Sequence, residues 1–245
     1  MKNTFLKLFI PLLIVLVLIV WVRKRNVEVS VVRSSVDGRE YVVQNKQDRQ
    51  QAADTLARVR ARLIRLIDYL KQTGGRTDQR GGAKQGPRIA DGDERRYGSY
   101  EERVKRLVRR FNPNRISEGN EDVRYTTYTL NKGEKIVFCL RARDEDDRVH
   151  DLKMMTFVAI HELAHIASKT EHHTPEFQAN FAWLLRNAVN CGVYTFEDFK
   201  ARPRRYCGID VTDTPLSGGG GGIEHFILGL LGKEQQGWCS RCRNQ

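Results

Sequence analysis

Two histidines and a glutamate stand together at His161-Glu162-Leu163-Ala164-His165. Residues four apart on a helix share a face, so the imidazoles of His161 and His165 can bind one metal ion. Neutral histidine nitrogen suits zinc, and a catalytic zinc site keeps one position open for water. Glu162 is offset around the helix from both ligands, where it can reach that water and take its proton. The motif lies inside an apolar run from Leu152 to Ser168. Three such side chains are costly there without partners. These residue types at this spacing predict metal-assisted hydrolysis, with Zn2+ as cofactor and Glu162 as general base. The structural alternative is a pair of hydrogen-bonded core histidines.

A catalytic zinc ion usually takes a third protein ligand. His173 is the first choice, because it follows a short polar link, Ser168 to His172, and stands just before a helix start. His172 is its rival. Glu171, Glu176 and Glu197 rank below them, and His150 and His225 read as surface residues. The terminal Cys239-Ser-Arg-Cys242 supplies two ligands of the four that a structural zinc site needs. The five cysteines are odd in number and mostly widely spaced, which predicts reduced thiols rather than a disulfide framework.

The elements that must position this chemistry follow from periodicity and punctuation. Leu152 to Ser168 is apolar on most sides and reads as a buried central helix. Thr174-Pro175 opens the next helix, with a capping hydroxyl and a proline at the first helical position, and it runs to about Asn190. Leu56, Val59, Leu63, Leu66, Ile67 and Leu70 recur at helical spacing within Gln47 to Gln72. A further helix is predicted from Tyr100 to Phe111. Hairpins are predicted over Val27 to Val43, around Asp37-Gly38, and over Tyr125 to Leu140, around Asn131-Lys132-Gly133. Residues 73–93 are rich in glycine and polar residues and read as a flexible loop. The fold class expected is α+β: a small antiparallel sheet packed on helices, with the HExxH helix at its centre.

Leu8 to Val22 reads LFIPLLIVLVLIVWV, and Phe5 and Leu6 extend it. This predicts a transmembrane helix near the lower length limit, and Arg23-Lys24-Arg25 after it make a poor signal-peptide cleavage site. The same basic flank places the large domain on the cytoplasmic side. The chain thus divides into an anchor (1–25), a catalytic domain (26–216) and a glycine-rich linker with a cysteine-containing tail (217–245). With 42 Lys and Arg against 30 Asp and Glu, the chain carries a formal charge of +12. Anionic partners follow from that, lipid or nucleic acid, while the expected substrate is a polypeptide.

HELAH (His161 to His165), then HHTPEF (His172 to Phe177), then NFAWLL (Asn180 to Leu185) resembles the WLM-type and SprT-like metallopeptidases. That resemblance implies a zincin-like fold, zinc ligation by His161, His165 and His173, Glu162 as catalytic base, and Phe177 as a packing residue. Segments Arg110 to Gly119, Tyr128 to Arg141 and Tyr206 to Leu216 are similar to uncharacterised membrane-anchored proteins of large algal DNA viruses. This likeness covers roughly residues 5 to 216 and implies a single-pass protein with its domain on the cytoplasmic or virion-interior side. Two other readings stand beside the membrane-tethered peptidase. One is a structural scaffold of a virion or membrane. The other is a protease acting on nucleic-acid-bound proteins. The intact Glu162 weighs against the first. Nucleic-acid binding motifs are absent from the sequence, which weighs against the second. A second oxyanion donor is sought among Tyr194, Tyr206 and Arg141, and the strand Ile136 to Leu140 is nominated to hold substrate by analogy of fold.

Overall fold

The computed structural model describes residues 28–73, 96–119, 126–143 and 147–216, together with Leu13. The architecture is α+β, with four helices and three small sheets among these residues. The helices are α1 (Arg49–Thr73), α2 (Tyr100–Arg110), α3 (Leu152–Ala167) and α4 (Pro175–Asn190).

Helix α3 lies at the centre. Twelve of its sixteen residues are buried, as its nearly continuous apolar sequence requires. Asp151 caps it, its carboxylate accepting from the Lys153 and Met154 N–H groups. Burial alone would raise that carboxyl, but the Met154 N–H and the Arg204 guanidinium outweigh it and hold the group below its ordinary range. Helix α1 packs on α3 through Leu56, Val59, Leu63, Leu66 and Leu70, all fully buried. Helix α2 starts in a capping box, Ser99 with Glu102, and also packs on α3.

The first sheet is an antiparallel hairpin of β1 (Val29–Arg33) and β2 (Glu40–Gln44), with Val31 opposite Val42. The second holds β3 (Ile116–Glu118), β4 (Tyr128–Leu130) and β5 (Lys135–Phe138) in the order β3-β5-β4. Its β4–β5 half is antiparallel and its β3–β5 half is parallel. The third is a hairpin of β6 (Arg204–Tyr206) and β7 (Ile209–Val211).

The expected small antiparallel sheet is therefore corrected to three sheets, one of them mixed. Three-residue strands such as β3 are too short to show a period of two, and the parallel pairing joins segments with another strand between them. The β4–β5 turn falls where Asn131-Lys132-Gly133 placed it. All three residues have positive φ, and a side chain on Gly133 would meet the Arg110 carbonyl oxygen at 2.7 Å.

Two further expectations are overturned. Among the described residues no helix is long and apolar enough to cross a membrane. A preceding transmembrane helix, and with it the single-pass membrane placement, is thus unsupported. The most apolar helix, α3, has 16 residues, short of a span, and turns its apolar surface into the core. The segment Phe5 to Val22, apart from Leu13, lies outside the described residues. So do residues 74–93 of the expected loop and the tail 217–245, with His225, Cys239 and Cys242. Second, Cys139 and Cys207 form a disulfide across 68 residues, not a pair of reduced thiols. No short spacing announces the pair, because the fold alone brings the end of β5 to the β6–β7 turn. Cys191 is the free cysteine among the described residues.

Candidate metal centre

His161 and His165 project from one side of α3, one turn apart. The chain then leaves the helix, crosses residues 168–174 and starts α4 at Pro175. Within that crossing His172 takes a left-handed backbone, φ 63°. It is His173 that turns back on α3. Its Nε2 lies 3.0 Å from His161 Nε2, and His165 Nε2 lies 3.2 Å from the same atom. The three ligand atoms all fall within 4.8 Å of one another, so the cluster can hold a metal ion. Tetrahedral ligation with metal–nitrogen bonds of about 2.0–2.1 Å places nitrogens roughly 3.4 Å apart, close to these separations.

The environment favours the form that binds metal. Burial first, then the neighbouring imidazoles, push His161 and His165 well below the ordinary histidine range. Burial, helped by His172, lowers His173 to about 4. All three are thus neutral near pH 7, as metal ligation requires. The Phe177 ring supports them from beneath. Its centroid lies 4.8 Å from that of His161, 4.3 Å from His165 and 4.7 Å from His173, and the residue is fully buried.

The crossing is held by charge. Glu176 Oε1 accepts from the Lys169 N–H at 2.9 Å, and Oε2 accepts from the Thr170 N–H at 3.0 Å and the Thr170 hydroxyl at 2.9 Å. Burial would raise this carboxyl, but these donors and Arg106 bring it below its ordinary value. Arg106 Nη1 sits 3.4 Å from Glu176 and donates to the Ala167 carbonyl at 2.5 Å. Arg110 donates to the carbonyls of Ile166 and Ser168, and Lys132 to that of Thr170. Two arginines thus cap the carboxyl end of α3, where helix carbonyls lack partners and the helix dipole is negative, and Lys132 holds the crossing just beyond it. Asn180 donates to Ser168 Oγ, which donates in turn to the Ala164 carbonyl, so α4 is tied to the same end. Glu176, ranked among the weaker ligands from sequence, is a brace for the ligand loop instead.

Glu162 is buried, at 3 % exposure, and its Oε2 accepts from the Thr129 hydroxyl at 2.6 Å. Thr129 belongs to β4, one of the two edge strands of the mixed sheet. A lone threonine in a predicted strand carries no signal of this contact. The nominated strand, Ile136 to Leu140, is corrected: β5 is central and paired on both sides, so the edges are β3 and β4, and β4 is the one that reaches Glu162.

Two of the three sought oxyanion donors, Arg141 and Tyr206, serve elsewhere. Arg141 bridges Glu118 and Asp48 in a buried ion cluster. The Tyr206 hydroxyl engages Thr127 Oγ1 at 2.5 Å and donates to the Cys139 carbonyl at 2.8 Å. Tyr194 packs against Phe157, one turn before His161 on α3, and burial raises its hydroxyl above the usual range. His150, expected at the surface, stacks on Tyr206. Glu197 pairs with Lys153 and Arg204.

Comparison with known proteins adds relatives but no activity. No family model matches the chain, and no solved structure matches it. It is 27% identical over 216 residues to the uncharacterized protein R325 of Acanthamoeba polyphaga mimivirus, covering 87% of this chain and 99% of that one. It is 32% identical over 82 residues to the uncharacterized protein 136R of Invertebrate iridescent virus 6, covering 33% of this chain and 44% of that one. Both relatives are viral proteins.

Proposed function

We propose that the protein is a zinc-dependent metallopeptidase. The observation that carries this reading is the convergence of three neutral imidazole nitrogens beside a buried glutamate that follows the first of them in sequence. Three nitrogen ligands that leave a position open are the donor set of a catalytic zinc site, whereas a structural site closes with four. Bound zinc supplies Lewis-acid polarisation of the scissile carbonyl and lowers the pKa of a coordinated water. His161, His165 and His173 hold the ion, and Phe177 and the Glu176 brace fix their approach. Glu162 takes the proton from the attacking water and returns it to the leaving amine. Thr129 holds one oxygen of Glu162 and so orients the carboxylate for that exchange. An extended polypeptide is the substrate class that fits an edge strand beside the base, since main-chain pairing along β4 would carry a scissile bond past Glu162.

The test is metal content and peptide hydrolysis of the full chain, beside Glu162→Gln and His173→Ala. The reading expects one zinc per chain in the parent and in Glu162→Gln. Hydrolysis should fall by roughly 10²–10⁴-fold in Glu162→Gln. His173→Ala should lose both metal and activity. A parent that takes up no zinc would overturn the reading, as would a Glu162→Gln variant that retains peptidase activity.

A further inference from the structure

A second concave site lies between the β1–β2 hairpin and α1, and none of its lining residues belongs to the histidine cluster. Arg33 ends β1, Arg39 precedes β2 and Arg60 stands on α1. With Glu40, Tyr41 and Asn114 they line a cavity of about 320 Å³.

The three guanidiniums are held mainly by uncharged acceptors. Arg33 Nε donates to the Gly38 carbonyl at 2.8 Å. Arg39 Nη1 donates to Asn114 Oδ1 at 3.1 Å. Arg60 donates from Nε to the Pro113 carbonyl at 2.9 Å and from Nη2 to Asn114 Oδ1 at 3.4 Å. The carboxylate nearest to any of them is Asp37, 3.7 Å from Arg60, and it already accepts from the Tyr41 hydroxyl at 2.7 Å. Among the described residues neither Arg33 nor Arg39 forms an ion pair. Neutral acceptors orient a guanidinium without consuming its charge; Glu40 in the lining and Asp37 beside Arg60 offset part of the positive charge, and the three cations leave the cavity net positive with their directions set.

A phosphate group has the geometry to use this. It offers several oxygens to planar forks, which bind it bidentately, and its double charge is matched by more than one arginine. The cavity exceeds the size of a lone ion and reaches the lower end of the range for small-molecule sites. Arg60 also lines a second cavity of about 650 Å³ along α1, beside Arg65 and Tyr69. We propose that the arginine cavity between the hairpin and α1 binds the terminal phosphate of a small phosphorylated ligand. The site is independent of the metallopeptidase reading and stands or falls separately.

The test is calorimetric titration of the full chain with inorganic pyrophosphate at fixed ionic strength, with sulfate as competitor. Saturable binding of one pyrophosphate per chain is expected, weakened at least tenfold in Arg33→Gln/Arg39→Gln, with the helix content of that variant by circular dichroism unchanged. Arg33→Lys/Arg39→Lys keeps the charge and removes the forks, so it too should weaken binding. The proposal is overturned by an absence of saturable binding, by equal displacement with sulfate, or by unchanged affinity in either double variant. If the glutamine variant misfolds, shown by lost helix content, the lysine variant decides alone.

Discussion

The histidine-cluster half and the sheet half of this molecule are built on different plans. In the first, one stretch of chain, α3 through the start of α4, supplies His161, Glu162, His165, His173 and Phe177. Its contacts are short in sequence: a turn of helix, a crossing, a cap. In the second, β3, β4, β5 and the β6–β7 hairpin come from four separate segments and are fastened by long-range bonds. Glu118 meets Arg141, Thr127 meets Tyr206, and Cys139 meets Cys207. The local half brings the ligands together. The non-local half brings the edge strand to them, and the halves touch at Thr129 on Glu162 and at Lys132 on the Thr170 carbonyl. A site can thus be spelled out in one segment while its orientation toward substrate depends on residues scattered through the chain.

The sharpest way to break this comparison is to cut the disulfide. It closes a loop of 68 residues in the sheet half. Constraining the unfolded chain by such a loop is worth about 4 kcal/mol in the chain-entropy account. Cys139→Ser/Cys207→Ser should therefore lower unfolding stability in urea by about 2–5 kcal/mol while the folded protein still binds metal. Loss of metal at urea concentrations where the fold persists would show that the halves are one unit.

What the sequence disclosed follows the same division. The α3 and α4 helices, the cap at Thr174, and the preference for His173 over His172 all rest on spacing within a few residues. Helical period, capping chemistry and ligand spacing express themselves at that range. The edge position of β4 and the roles of Arg141 and Tyr206 rest on partners tens of residues away. So do the mixed sheet and the disulfide. No short-range pattern announces them. Glu176 lies between the cases: it was visible as an acidic residue near the ligands, but its role as a brace depends on Arg106, 70 residues earlier.

That brace gives the next test, aimed at the local half. Glu176→Gln keeps the shape of the side chain and removes the charge that faces Arg106 and the Lys169 and Thr170 N–H groups. The crossing that carries His173 should loosen. Metal affinity should fall roughly 10–100-fold, the usual effect of losing a group that orients a ligand, with helix content preserved. Competition with a chromophoric chelator measures it. Unchanged affinity would mean that packing on Phe177 alone places His173.

The smallest expected effect probes the junction itself. Thr129→Val removes the hydroxyl from Glu162 and keeps the β-branched shape of the strand. The carboxylate loses one orienting bond, so turnover should fall about tenfold, within the range for displaced proton-transfer groups. KM and metal affinity should stay near parent values, because neither the ligands nor the strand backbone has changed. Thr129→Ser restores the donor and should restore turnover. A packing role predicts otherwise, since serine loses the methyl group that valine keeps, and it would then be the worse of the two. The ratio of the two variants therefore reports whether the non-local half contributes chemistry to the site or only its wall.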